Sequence, residues 1–244
     1  MQRQERNVTR EIVRGAFAAI WLPFSWAAGL PRAAGVLLRR VRSPEERSAS
    51  AAREKFDTER WSLELLKHLE WRRFEELCVA YFEALGFSAQ ISHSRTDGAV
   101  DIGLCAAGAE RAAILVHCQA WNAYRVGVKP VRELRAAMTS AGAADGVLIT
   151  SSRFTQEAVA LAARENIELI DGAGFLAKLA ALAPEKNLGL LKFATQGDFL
   201  TPTCPRCSIK MTSRRSTHEG RRFWGCPNYP RCKQTLNATA NAPA

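Results

Sequence analysis

The sequence lacks a glycine-rich phosphate loop and any internal repeat, which leaves out P-loop nucleotide chemistry and solenoid architectures. It also lacks an uninterrupted apolar run of the ~20 residues that a membrane-spanning helix needs. The nearest approach, residues 16–31, carries no charge, but it is shorter and Pro23 interrupts it. Acidic side chains are scarce at both ends: residues 1–60 hold twelve Lys/Arg against seven Asp/Glu, 61–183 hold twelve against fourteen, and 184–244 hold ten against three. Basic ends around a slightly acidic middle attract polyanions, nucleic acid or anionic membrane, through fields that salt screens. An even cysteine count is absent too, because there are seven. Cys78, Cys105 and Cys118 stand singly in apolar stretches, where a small hydrophobe packs well. The other four cluster near the carboxy terminus and read as thiolate ligands, so a reducing cytoplasm is the expected compartment. What is present, 47% apolar and 24% charged residues in a 244-residue chain, suits one full-sized core plus a small module.

Residues 1–42 form a basic apolar segment in which Trp21, Phe24 and Trp26 lie between arginines. Aromatic rings and arginines prefer the headgroup zone, so one reading is an interfacial helix attached to the inner face of the cell membrane. The other is a helix buried against the rest of the protein. A cleaved export signal is not expected, because it would carry reduced thiols into an oxidising space. Residues 43–60, with serines and alternating charges around Pro44, read as a linker. Next, Leu66, Leu69, Phe74, Leu77, Cys78, Tyr81, Phe82 and Leu85 recur at helical spacing up to Gly86, which predicts one long amphipathic helix with a glycine stop. Apolar runs at 87–92, 99–105 and 112–120 predict three consecutive strands. A helix at 131–138, a strand at 146–150, a helix at 155–165, a strand at 167–170 and a helix at 175–182 follow. The order α-β-β-β-α-β-α-β-α describes a sheet flanked by helices. Residues 184–202 read as a second linker and 236–244 as a disordered tail.

The carboxy-terminal cysteines are arranged as Cys204-Pro205-Arg206-Cys207, then Cys226 after eighteen residues and Cys232 after five more. Two close pairs at this separation close one tetrahedron around a structural Zn2+, and a segment this short takes its folding energy from the metal. Arg214, Arg215, Arg221, Arg222 and Lys233 surround them, interleaved with Phe223, Trp224 and Tyr229. Basic side chains follow phosphates and aromatic faces stack on unpaired bases, the pattern of a single-strand binder. For Phe223 and Trp224 the alternative is that they merely cover the zinc. The run from Gly220 through Phe223, Trp224, Cys226, Tyr229, Pro230 and Cys232 to Lys233 closely resembles the carboxy-terminal zinc finger of type IA DNA topoisomerases. That resemblance covers about 203–235 and implies single-stranded DNA binding; the chain is too short to be a topoisomerase.

In the middle, Asp101 opens a strand after the Asp97-Gly98 turn, with Glu75 on the preceding helix and the third strand expected to converge on it. Such carboxylates at one end of a sheet hold a divalent ion for hydrolysis. On the third strand His117 and Gln119 share a face and Cys118 points away, because strand side chains alternate. Trp71 to Glu75, Asp97 to Ile102, Val126 to Leu134, Thr150 to Thr155 and Ile167 to Gly172 together resemble the Mrr-like restriction endonucleases of the PD-(D/E)-x-K nuclease superfamily. The resemblance spans 61–183 and implies an α/β fold, a mixed sheet flanked by helices, with a small zinc ribbon appended at 203–235.

It further implies that Asp101 binds Mg2+ or Mn2+, with Glu75 as a supporting acid and DNA as substrate. The family has Gln-x-Lys on the third strand, where this chain reads His117-Cys118-Gln119. The lysine is therefore missing, and a neutral amide cannot stabilise developing phosphate charge as an ammonium does. Three readings follow. The nuclease fold is impaired and retained for DNA binding; or His117 acts as ligand or base while Lys129 replaces the cation; or the chain is a membrane-attached scaffold of a DNA process. A second copy of the chain is an expected partner.

Overall fold

A computed structural model describes residues 56–92, 101–105, 113–120, 125–216 and 220–237. The interfacial helix expected within 1–42 and most of the 43–60 linker lie outside these residues, as does most of the tail expected at 236–244; its first two residues, Leu236 and Asn237, are not tail but strand. All described residues fall in one compact unit, Arg42–Ala244. Among them no helix is long and apolar enough to cross a membrane.

The long helix expected up to Gly86 is two helices. The first, α1, covers Leu63–His68, capped by Ser62, whose hydroxyl accepts from Leu65 N–H at 3.0 Å. The second, α2, covers Trp71–Ala84 and is capped by Glu70. The chain is extended at Leu69 (φ −56°, ψ 131°) and Glu70 (φ −61°, ψ 153°). Glu70 N–H is taken by the carbonyl of Phe199 at 2.9 Å instead of by a helical carbonyl. Apolar spacing runs across the break because both pieces bury their apolar sides, Leu65 and Leu66 on one and Phe74, Leu77, Cys78 and Phe82 on the other. The glycine stop is where expected: Gly86 has φ +93°, a conformation open to glycine.

Strands β1 (Ser88–Ser92), β2 (Asp101–Cys105) and β3 (Ile114–Gln119) form an antiparallel meander. Helix α3 (Val128–Ala141) then crosses to β4 (Asp145–Thr150), parallel to β3, and α4 (Gln156–Ala162) crosses to β5 (Ile167–Ile170), parallel to β4. The sheet order is β1-β2-β3-β4-β5. Buried on both faces, β4 reads as a continuous apolar run, as parallel strands do. Helix α3 starts earlier than its apolar spacing suggests because Pro130 sits in its first turn, where its missing N–H costs nothing. After β5, Asp171 caps α5 (Gly172–Ala180) by accepting from Gly174 N–H at 2.8 Å.

Two cores sandwich the sheet. On one face Leu115 and Leu148 pack with Val131, Leu134 and Met138 of α3 and Ala158 and Ala162 of α4. On the other, α2 and α5 meet through Phe74, Tyr81 and Phe175, whose rings sit edge to face at 5.9 and 5.4 Å. The stretch 184–202 corrects the sequence reading, because it is no linker. Pro184–Ala194 forms helix α6, burying Leu190, Leu191 and Ala194, and Phe199 beyond it is fully buried. Lys186 Nζ donates to the Ala84 carbonyl at 2.6 Å. Arg73 donates to the Phe193 carbonyl, with its guanidinium 5.4 Å from the Phe193 ring centroid. A small antiparallel sheet, β6 (Thr212–Arg215), β7 (Arg222–Gly225) and β8 (Thr235–Asn237), completes the described chain.

Candidate functional site

Two turns carry the four cysteines. In the first, Cys204 N–H donates to the Ile209 carbonyl and Ser208 N–H to the Cys204 carbonyl, both at 2.8 Å. In the second, Cys226 N–H donates to the Gln234 carbonyl at 3.1 Å and Cys232 N–H to the Asn228 carbonyl at 2.9 Å. These bonds bring Cys204, Cys207, Cys226 and Cys232 together, with all four Sγ atoms within 4.8 Å of one another. The Cys204 and Cys232 sulfurs are 3.9 Å apart. A tetrahedral zinc with ~2.3 Å bonds to sulfur requires an edge of ~3.8 Å, so the donors fit that ion. Without it the thiols interfere with one another. Burial pushes Cys226 up to about 12, while the Gln234 backbone amide holds Cys232 down at about 7.

Strand parity sorts the ribbon's aromatic residues. Trp224 lies two residues from Cys226 and is 7% exposed, packed with Met211 and the cysteines. Expected to offer a face to bases, it instead covers the metal centre, because the side of β7 it occupies is the inner one. Phe223 leaves the other side, half-buried, opposite Arg214 on β6 and Asn237 on β8. Arg214 lies along the adjoining Gly225, its Cδ 3.0 Å from where a Cβ would stand. Tyr229 is 62% exposed. Arg215 and Arg222 are register partners, and both are exposed, as are Arg221 and Lys233.

In the larger domain Asp101 begins β2 and is the register partner of His117 on β3. His117 is 1% exposed and has an interaction partner within the fold. It shares the α3/α4 face with Leu115 and Gln119, while Cys118, also 1% exposed, turns to the other core. Gln119 ends β3 beside Thr150 of β4. Its Oε1 is buried with no hydrogen-bond donor among the described residues. A buried acceptor left bare is costly, and an ion or water commonly accounts for one. Amide oxygens are among the donors that hard divalent cations take.

Glu75 is 6% exposed and engaged within the fold. Its helix α2 packs on β1, β3 and α6 and contributes nothing to the α3/α4 core. Glu75 therefore approaches from across the sheet, not from the His117 side. Lys129, a candidate substitute for the absent lysine, stands 84% exposed in the first turn of α3, with its ammonium 3.8 Å from Glu133. The sequence reading missed Glu70, a buried carboxylate at the start of α2 that gathers donors from the ribbon. Its only local signal is a lone acid between two apolar residues.

Residues 66–179 match the Mrr-type restriction endonuclease family, and residues 201–241 match the topoisomerase DNA-binding C4 zinc finger. None of the curated proteins matches the chain. Two of the solved structures that align with it are restriction endonucleases. MspJI restriction endonuclease in complex with a 27-mer oligonucleotide is 17% identical with a TM-score of 0.36, covering 74% of this chain and 42% of its own. The DNA modification-dependent restriction endonuclease AspBHI is 20% identical with a TM-score of 0.36, covering 67% of this chain and 43% of its own. The aligned part thus spans less than half the length of either enzyme. By its two matched regions, the chain joins a restriction endonuclease domain of the Mrr type to a topoisomerase-type C4 zinc finger.

Proposed function

We propose that the protein binds DNA with both domains and that its larger domain hydrolyses phosphodiester bonds with a divalent cation at Asp101. The observation that carries the catalytic half is the bare Gln119 Oε1 on β3, on the strand whose His117 is in register with Asp101. A bound Mg2+ or Mn2+ would polarise the phosphoryl oxygen and acidify the attacking water. Asp101 and Gln119 would hold the ion through oxygen; Glu75, the supporting acid that the family resemblance assigns, lies on a helix packed across the sheet. His117 faces the same side and takes the proton or adds a nitrogen ligand. The exposed arginines of the ribbon follow the phosphates of a single strand, while Phe223 and Tyr229 stack on bases.

One observation favours a second reading, a nuclease fold retained for binding alone. The matching lysine position is Gln119, and Lys129 extends into solvent, 84% exposed. Cleavage of plasmid and single-stranded DNA with Mg2+ or Mn2+ separates the two. The first reading expects cleavage by the native protein that disappears in Asp101→Ala; cleavage persisting in that variant would mean the site is elsewhere. Silence in the native protein with cleavage by Gln119→Lys would establish the second reading.

A further inference from the structure

Glu70 lies in the nuclease-type domain, yet most of its partners come from the ribbon. Its side chain is 4% exposed. Oε1 accepts from Thr203 Oγ1 at 2.9 Å and from Lys210 Nζ at 3.0 Å; Oε2 accepts from Thr203 N–H at 3.0 Å and from Arg72 N–H at 3.3 Å. The neighbouring Trp71 Nε1 donates to the Thr203 carbonyl at 2.8 Å. All three backbone and side-chain polar groups of Thr203 are thereby spent on the start of α2. Lys210 is braced in turn by the Thr201 carbonyl at 2.8 Å. The contacts join segments 133 and 140 residues apart.

Thr203 and Lys210 sit on either side of the first cysteine turn. Thr203 immediately precedes Cys204, and Lys210 follows Cys207 by three residues. The two are bridged to each other across that turn. Their position depends on the turn that the four thiolates close around a metal. A buried carboxylate is tolerable only while its donors stay in place.

We propose that Glu70 is an interdomain latch: its carboxylate locks the zinc ribbon to the first turn of α2, making the two DNA-facing modules one rigid body and coupling zinc occupancy to the order of α2. The inference rests on the four cysteines holding zinc and is independent of whether the chain cleaves DNA. Losing zinc opens the first turn, withdraws Thr203 and Lys210, and leaves Glu70 with Arg72 N–H alone among these donors. The start of α2 then loosens, five residues (~7.5 Å along the axis) before Glu75. Coupling of this kind is reciprocal, so weakening the latch weakens zinc binding by the same factor.

The test uses the full zinc-loaded chain. Zinc transfer to a chelating dye is timed for the native protein, Glu70→Gln, Lys210→Met, and Glu185→Gln on the exposed start of α6 as control. Hydrogen exchange of α2 is followed before and after chelation. The latch predicts one zinc per chain and release at least fivefold faster in Glu70→Gln and Lys210→Met than in the control. It also predicts faster exchange over residues 71–75 once zinc is removed, with β4 and α5 unchanged. Lys210→Met decides alone if Glu70→Gln does not fold. Full zinc loading with control-like release, or α2 exchange indifferent to zinc, would overturn the latch; a chain that binds no zinc would overturn the metal centre itself.

Discussion

At Gly172 the fold leaves no room for a methyl group. A Cβ there would stand 2.4 Å from the Ser151 carbonyl oxygen and 2.8 Å from Leu63 Cδ1. The oxygen belongs to the backbone and cannot swing aside, so Gly172→Ala is expected to destabilise the protein by about 1–3 kcal/mol, read as a lower thermal midpoint. At the cysteines the decisive quantity is proton competition. Thiols must ionise to bind metal, and in the metal-free centre Cys226 is held up at about 12 and Cys232 down at about 7. Zinc must displace the protons of its ligand thiols, so affinity falls steeply as pH falls below 7. A chelator-competition titration between pH 5 and 7 checks this; a flat profile would remove thiolate ligation. The clustering of the four cysteines was legible from spacing alone, because such a knuckle is a local object. Trp224 was expected to face bases, although period-two alternation from Cys226 makes it the inner residue and Phe223 the outer one.

Among the elements, the sequence reading fails where a distant partner overrides local spacing. Helical periodicity runs unbroken through Leu66, Leu69 and Phe74, yet the helix breaks at Glu70 because Phe199, Thr203 and Lys210 supply its partners. No local pattern reports bonds made 130 residues away. The strands were easier: apolar runs between turn signals placed β2 to β5 to within a few residues, since burial on both faces writes itself into composition. Helix α6 carried a readable signal, Pro184 at its first position and Leu190 with Ala194 one turn apart, which the linker reading passed over. Its buried side gives the consequence. Leu191 is 3% exposed, and Leu191→Ala is expected to cost about 2–4 kcal/mol in urea unfolding. A true linker residue would change stability by less than ~0.5 kcal/mol.

For the whole molecule, charge is uneven, and the ribbon end is the part proposed to meet a polyanion. Residues 184–244 hold ten basic side chains against three acids, and Arg215, Arg221, Arg222 and Lys233 stand exposed on or beside the small sheet. If each follows a phosphate, replacing Arg222 by alanine should weaken single-strand binding and reduce the slope of log affinity against log salt by ~0.7. Such a loss should be the same for every sequence, because phosphate contacts position a strand without reading it. The most direct measurement of the central claim is the affinity of the zinc-loaded full chain for a labelled single-stranded oligonucleotide across a salt series. The account predicts binding at low salt that falls linearly on the log-log plot, with a slope of about −0.7 for each phosphate neutralised. No affinity at low salt, or affinity indifferent to salt, would contradict it.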